Sequence, residues 1–335
     1  MATWKKDALC HNHKKYTQWK HLSSGCTASI SSAVDEKNTP VAVKEYNNEL
    51  HGIENWWLKE SKIIKLAEKV QHTVRFIDVF RDINNRKFLV TPLHGKPLFT
   101  HYNQKGLPIH DIKQIGIQLL EFLSGMKTTK LIHADLTPTN IVFKNIDKEE
   151  KDKEIVVIDF GLSMLAEENN LGKLVQLLMY RSPEVILKHS FDYAIDIWSV
   201  GCILFELYAG QPFVCEEGED GENQTYINTL DQIHRRLGRL PPASFIEEST
   251  LGNDYYQKTS LSSSSSSSSS YQLASSFKPN HDNSGMQTVE NVINQKAKEN
   301  NESEKGKALS QLLSSMLTYE KRISPEAALE LIKAI

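Results

Sequence analysis

Long apolar runs are missing from this 335-residue chain. The most apolar long stretch, AIDIWSVGCILFELYAG (194–210), is shorter than a bilayer crossing and carries Asp196 and Glu206, so it reads as a core helix and no membrane association is expected. The opening MATWKKDALCHNHKK lacks the apolar core and small-residue cleavage site of a signal peptide. Cysteine is scarce as well: Cys10, Cys26, Cys202 and Cys215 are scattered, which points to a reducing compartment, cytoplasm or nucleus. Cys10, His11 and His13 have no second ligand pair at finger spacing, so they are not read as a metal site. Charge of one sign is lacking too. A net charge of -3 gives no electrostatic reason to expect nucleic acid or an anionic membrane as a partner, and the lysines of residues 1–15 read as a solvated basic arm.

What is present suffices for a real core: 39% of residues are apolar and 24% charged, ordinary for one large domain or two lobes. Apolar alternation predicts strands at VAVKEY (41–46), VRFIDVF (74–80) and KFLVTPL (87–93), with a helical pattern at 56–70 between the first two. After Gly106 the spacing turns helical over IHDIKQIGIQLLEFLSGMKT, and IVF and EIVVID flank a charged turn as a hairpin would. Ile227, Leu230, Ile233 and Leu237 share one face of a later helix. Residues 246–305 include nine consecutive serines, Ser262 to Ser270, among many polar residues, and predict a disordered insertion. The division that follows is an arm at 1–15, a strand-rich part at 16–93 and a helical part at 94–335.

Phosphoryl transfer needs cationic and metal contacts on the phosphates and a carboxylate that positions the attacking hydroxyl. VAVK sets Lys44 on a strand, where its ammonium can reach phosphate oxygens. HADLTPTN supplies Asp135 as base and Asn140 as a metal ligand, and VIDFG sets Asp159 at a strand end for Mg²⁺. Taken singly, each residue has a bland reading: a solvated lysine, or an aspartate capping a turn. Together and in this order they do not.

With YRSPEV (180–185), DIWSVGCILFEL (196–207) and KRISPEAAL (321–329), these motifs resemble the eukaryotic protein kinase family from about Tyr16 onward. The resemblance implies an α+β fold of two lobes with ATP in the cleft between them. LIHADL, QLLMYRSPEV and GRLPP narrow it to the homeodomain-interacting and dual-specificity tyrosine-regulated kinases of the CMGC group. It further implies that Glu60 pairs with Lys44, Glu54 being the runner-up, and that Leu22, Ser23, Ser24 and Gly25 cover the phosphates. Ala42 and Val142 would enclose the adenine with Ile30, beside a gatekeeper Thr91 and a hinge at Pro92 and Leu93. Glu184 would pair with Arg322, and Asp196 would brace the catalytic loop. A monomeric, bare catalytic unit acting on Ser/Thr hydroxyls of protein substrates is expected.

Three departures from the family pattern stand out. In LSSGCTASI (22–30) only Gly25 occupies a glycine position; Ser23 and Ala28 replace the others, so weaker ATP binding is expected. Thr137 replaces a lysine that contacts base and phosphate, and losing a charge-assisted bond of ~1.5–3 kcal/mol would slow transfer roughly ten- to a hundredfold. A hydroxyl at 137 is expected to bond Asp135 in its stead. Finally, Ala134 replaces a phosphate-reading arginine, while residues 164–179 contain no Ser, Thr or Tyr, with Leu174 and Leu178 where the branch places its tyrosine and an arginine. A segment free of phosphate control, held by its leucines packing on the helical lobe, is expected. The same departures support another class of protein, a pseudokinase scaffold or decoy. A small-molecule kinase is disfavoured by YRSPEV and the helix after it.

Overall fold

Pairing rather than apolar alternation makes the first strands. The computed structural model describes residues 9–11, 14–100, 105–146, 153–215, 222–259, 271–274 and 285–335. Residues 1–8, the side chains of Cys10, His11 and His13, the acidic loop 216–221 and the serine run lie outside them. Strands β1 (Leu9–His11), β2 (Lys14–Ser24), β3 (Ala28–Val34), β4 (Pro40–Tyr46), β5 (Asp78–Arg81) and β6 (Lys87–Pro92) form one antiparallel sheet in the order β1-β2-β3-β4-β6-β5. The arm is therefore shorter than expected, because residues 9–11 and 14–15 already pair in the sheet, and Lys14 Nζ donates to Ile77 O at 3.1 Å. The strand expected at 74–80 begins only at Asp78. Helix α1 (Ile53–Leu66) starts from Gly52, whose φ of +78° suits glycine, and buries Trp57, Glu60, Ile63 and Ile64 against the sheet.

The second lobe is built on α2 (Ile109–Thr128) and α4 (Ala194–Ala209). Nearly every residue of α4 is buried, so this apolar run is the lobe's axis, and Gly210 ends it at φ +74° with its N–H on Glu206 O. Between these helices come the short strands β7 (Leu131–Ile132), β8 (Ile141–Phe143), β9 (Ile155–Val157) and β10 (Met164–Leu165), with β8 pairing β9 and β7 pairing β10, and then α3 (Pro183–Ile186). Helix α5 (Glu222–Leu237) buries Ile227, Leu230 and Ile233, as its spacing predicts. The expected α+β, two-lobed architecture is present.

The expectation of disorder throughout 246–305 needs correction. Short helices α6 (Ala243–Glu247) and α7 (Gly252–Tyr255) and the strand pair β11 (Tyr256–Lys258) and β12 (Tyr271–Leu273) occupy its start. Helix α8 (Val289–Glu299) occupies its end. Thr288 caps α8 by accepting the Asn291 N–H at 3.3 Å, and Val289, Ile293 and Ala297, four residues apart, bury one narrow stripe. Gly306 of α9 (Ser303–Met316) lets that stripe approach: a Cβ there would meet Ala297 Cβ at 2.1 Å. Average polarity hid three small contacts that suffice for a helix. Helix α10 (Pro325–Lys333), capped by Ser324 with Pro325 at its first position, packs back on α2.

Candidate active site

Lys44 lies on β4, and its ammonium is 2.9 Å from Glu60 Oε1, 3.0 Å from Glu60 Oε2 and 2.8 Å from Asp159 Oδ1. Burial alone would lower the Lys44 pKa, but the two carboxylates override it and hold it well above the usual lysine range. Glu60 itself is raised by burial, with Lys44 opposing. Of the two glutamates considered, Glu54 is engaged elsewhere, on Arg81 and on Lys87 at 3.6 Å. Tyr46, which the sequence analysis missed, donates its hydroxyl to Glu60 Oε2 at 2.7 Å. The signal was there: Tyr46 follows Lys44 by two residues, hence on the same strand face.

The catalytic loop owes its shape to one buried carboxylate. Asp196, 1% exposed on α4, accepts the His133 N–H at 2.7 Å and the Ala134 N–H at 2.9 Å. Burial raises its pKa to about 7 against the pull of those two bonds. The loop runs through Ala134 at φ +63°, a left-handed conformation that a non-glycine residue holds only when its surroundings enforce it. Asn140 Nδ2 then closes the loop, donating to Asp135 O at 2.9 Å and to Asp135 Oδ2 at 3.0 Å. Burial, then the neighbouring Asp159, raise the Asp135 carboxyl to about 7.

Asp159 is the second strained residue, at φ +61°. Its Oδ1 also accepts the Gly161 N–H at 3.1 Å, and the Ile158 N–H donates to Asn140 O at 2.9 Å, so the two aspartate-bearing segments are tied together. Phe160 is fully buried, with its ring centroid 4.9 Å from that of His133. His133 was not singled out from sequence; burial holds its pKa down to about 4, and it remains neutral at physiological pH.

Thr137 departs from expectation. It is 2% exposed, and its hydroxyl meets Thr139 Oγ1 at 2.7 Å and accepts the Asn140 N–H at 3.3 Å instead of reaching Asp135. A short side chain stays inside the turn that it closes. The leucines of the following segment depart in part: Leu171, Leu174 and Leu177 are about half exposed or more, whereas Leu178 packs against the core with Met179, and Val175 and Gln176 are buried. Glu184 and Arg322, by contrast, do meet, with Arg322 Nη2 2.8 Å from Glu184 Oε2 and both side chains under 10% exposed.

The proposed nucleotide-facing residues lie above this cluster. Ala42 is opposite Thr91 across β4 and β6, Ile30 is opposite Lys44 across β3 and β4, and Leu93 donates its N–H to Pro40 O at 3.2 Å. Val142 is buried on β8. Leu22, Ser23 and Ser24 end β2, and the Gly25 N–H donates to Ala28 O at 2.9 Å to form the turn. A Cβ on Gly25 would meet nothing in the chain closer than 3.8 Å, so any need for glycine there comes from what lies over the turn.

The donor set suits a magnesium nucleotide. One ammonium faces the carboxylates of Glu60, Asp159 and Asp135, an excess of negative charge that a divalent cation would neutralise. Asn140 commits its nitrogen to Asp135, which leaves its amide oxygen, with Asp159, as the hard oxygen ligands such a cation prefers.

Comparison with known proteins shows the family. The protein kinase domain model matches residues 16–331. The chain is 31% identical over 258 residues to the dual specificity tyrosine-phosphorylation-regulated kinase 4 of Homo sapiens, covering 74% of this chain and 47% of the relative. It is 26% identical over 298 residues to the homeodomain-interacting protein kinase 1 of Caenorhabditis elegans, covering 85% and 32%. A dual specificity protein kinase YAK1 homolog of Arabidopsis thaliana is 30% identical over 261 residues, covering 75% and 26%. The chain thus spans half or less of the length of these relatives. It belongs to the protein kinase family, and is similar within it to dual-specificity tyrosine-regulated and homeodomain-interacting kinases.

Proposed function

We propose that this protein transfers the terminal phosphoryl group of ATP to serine or threonine hydroxyls of protein substrates. The observation that carries the reading is the joined cluster of Lys44, Glu60 and Asp159 beside the tethered pair Asp135 and Asn140. Asp159 and Asn140 would hold Mg²⁺, which supplies charge neutralisation at the phosphates when bound. Lys44, kept charged and fixed by Glu60, orients the phosphates. Asp135, with one oxygen occupied by Asn140 Nδ2, offers the other to the acceptor hydroxyl and takes its proton as the new O–P bond forms and the bond to ADP breaks. Pro138, directly after Thr137, favours the Ser/Thr form of this loop. The family's general use of ATP and magnesium supports the same assignment.

The assay is transfer of radiolabelled phosphate from Mg-ATP to a generic basic Ser/Thr substrate, comparing wild type with Asp135→Asn and Asp159→Asn. Transfer by the wild type and its loss in both variants is expected; no labelling by any form would overturn the enzyme reading. The scaffold reading has its own support in the inward-turned Thr137 and the single glycine of the covering turn. It wins if the wild type transfers nothing while Asp159→Asn keeps the protein's cellular effect.

A further inference from the structure

The segment after Asp159 is held without any group that could carry a phosphate. Residues 164–179 contain no hydroxyl side chain. The hydroxyls that flank them are buried and engaged: Ser163 donates to His133 O at 2.9 Å, Tyr180 donates to Glu206 Oε2 at 2.6 Å, and Ser182 reaches Gln176 Oε1 at 3.2 Å. The expected apolar anchor forms only in part: Leu171, Leu174 and Leu177 face solvent, while Val175 is buried and Leu178 and Met179 pack against the core.

What holds the segment is an amide. Gln176 is 3% exposed and stands at φ +65°, the third left-handed non-glycine residue of the site. Its backbone N–H donates to Ala134 O at 2.9 Å, one residue from Asp135, and its carbonyl accepts from Arg181 Nε at 3.2 Å and Nη2 at 2.9 Å. Its side-chain nitrogen donates to Ile195 O at 2.9 Å and Ser199 Oγ at 2.8 Å on α4, and lies 3.3 Å from Tyr180 O. Its side-chain oxygen accepts the Ser182 N–H at 3.1 Å. One residue therefore joins the catalytic loop, α4 and the YRSPEV turn, with both amide hydrogens and the amide oxygen used. Asn170 adds a second tie, its Oδ1 accepting the Phe191 N–H at 3.2 Å.

We propose that Gln176 is a positioning residue that sets the activation segment and the peptide-docking turn for substrate, in place of a phosphate. The assignment rests on the kinase reading above. Its force comes from satisfaction: a buried amide bonded in every direction has one favourable pose, so the segment needs no added charge to select it.

The test uses the full chain, with and without protein phosphatase treatment, in the radiolabelled transfer assay with a Ser/Thr peptide. Wild-type rates within twofold of each other are expected. Gln176→Leu should raise the peptide KM tenfold or more and leave the ATP KM within twofold. Ser199→Ala, which removes one partner only, should give a smaller rise of the same kind. Hydrogen exchange across 170–182 should be at least tenfold faster in Gln176→Leu than in wild type, with α9 unchanged. A tenfold loss of activity on phosphatase treatment, or a folded Gln176→Leu protein with wild-type peptide KM, would overturn the proposal. Should no form transfer phosphate, the kinase reading fails separately, and the exchange measurement still decides: unaltered protection in Gln176→Leu sinks the latch.

Discussion

The turn at 22–30 and the loop at 132–140, proposed to serve the same cleft, are built under different rules. The turn leaves Leu22 to Gly25 exposed, and two of its three glycine positions are filled by Ser23 and Ala28. The loop is fixed by Asp196, closed by Asn140, and buried at all but a few residues. The chain departs from the family pattern where the proposed function depends on close backbone approach, and keeps Lys44, Asp135, Asn140 and Asp159, the groups the proposed chemistry requires. Inside the loop Ala134 and Thr137 depart from the pattern as well, and the inward turn of Thr137 seats a short side chain where the pattern has a lysine without opening the structure.

The widest gap between the two regions should appear with Asp135→Asn. Removal of the base should lower kcat by roughly 10²–10⁴-fold with little change in the ATP KM, read by steady-state transfer. An equal effect from any substitution in the turn would erase the distinction. Next, Thr137→Lys should raise kcat about ten- to a hundredfold, by restoring a charge-assisted bond of ~1.5–3 kcal/mol in the transition state. A third measurement is the pH profile of kcat/KM. Asp135 must be ionised to take a proton and its pKa is raised to about 7, so activity should fall roughly tenfold per unit below that pH and level off above it. The acid limb should vanish in Asp135→Asn. Smallest of all, Ser23→Gly should lower the ATP KM by about two- to fivefold, in keeping with the ~0.5–1 kcal/mol scale of glycine's backbone effects, and leave kcat unchanged.

The two regions also differ in how far they could be read from sequence. Lys44, Asp135, Asn140 and Asp159 were legible because phosphoryl chemistry demands those groups at fixed intervals, and the structure brings them together. Helix α2 was legible because one face repeats apolar residues over its whole length. Strand β2 was not: KKYTQWKHLSS has no alternation, and pairing with β1 and β3 makes it a strand. Helix α8 was averaged away by its polar neighbours. Gln176 had no pattern at all, since the value of a single amide depends on partners drawn from three other segments. The leucines misled for the converse reason: an apolar residue carries no instruction about which way a loop will turn it.

The pairing of Glu184 with Arg322 makes the far end of the sequence a structural part of the YRSPEV turn. A chain that stopped short of position 322 would lose less than a twentieth of its length, yet would strand a buried carboxylate next to the docking turn, a defect worth ~3–5 kcal/mol when one partner of such a pair is removed. Premature termination so late should thus behave as a folding lesion in the middle of the protein, and tags or fusions are best joined beyond α10.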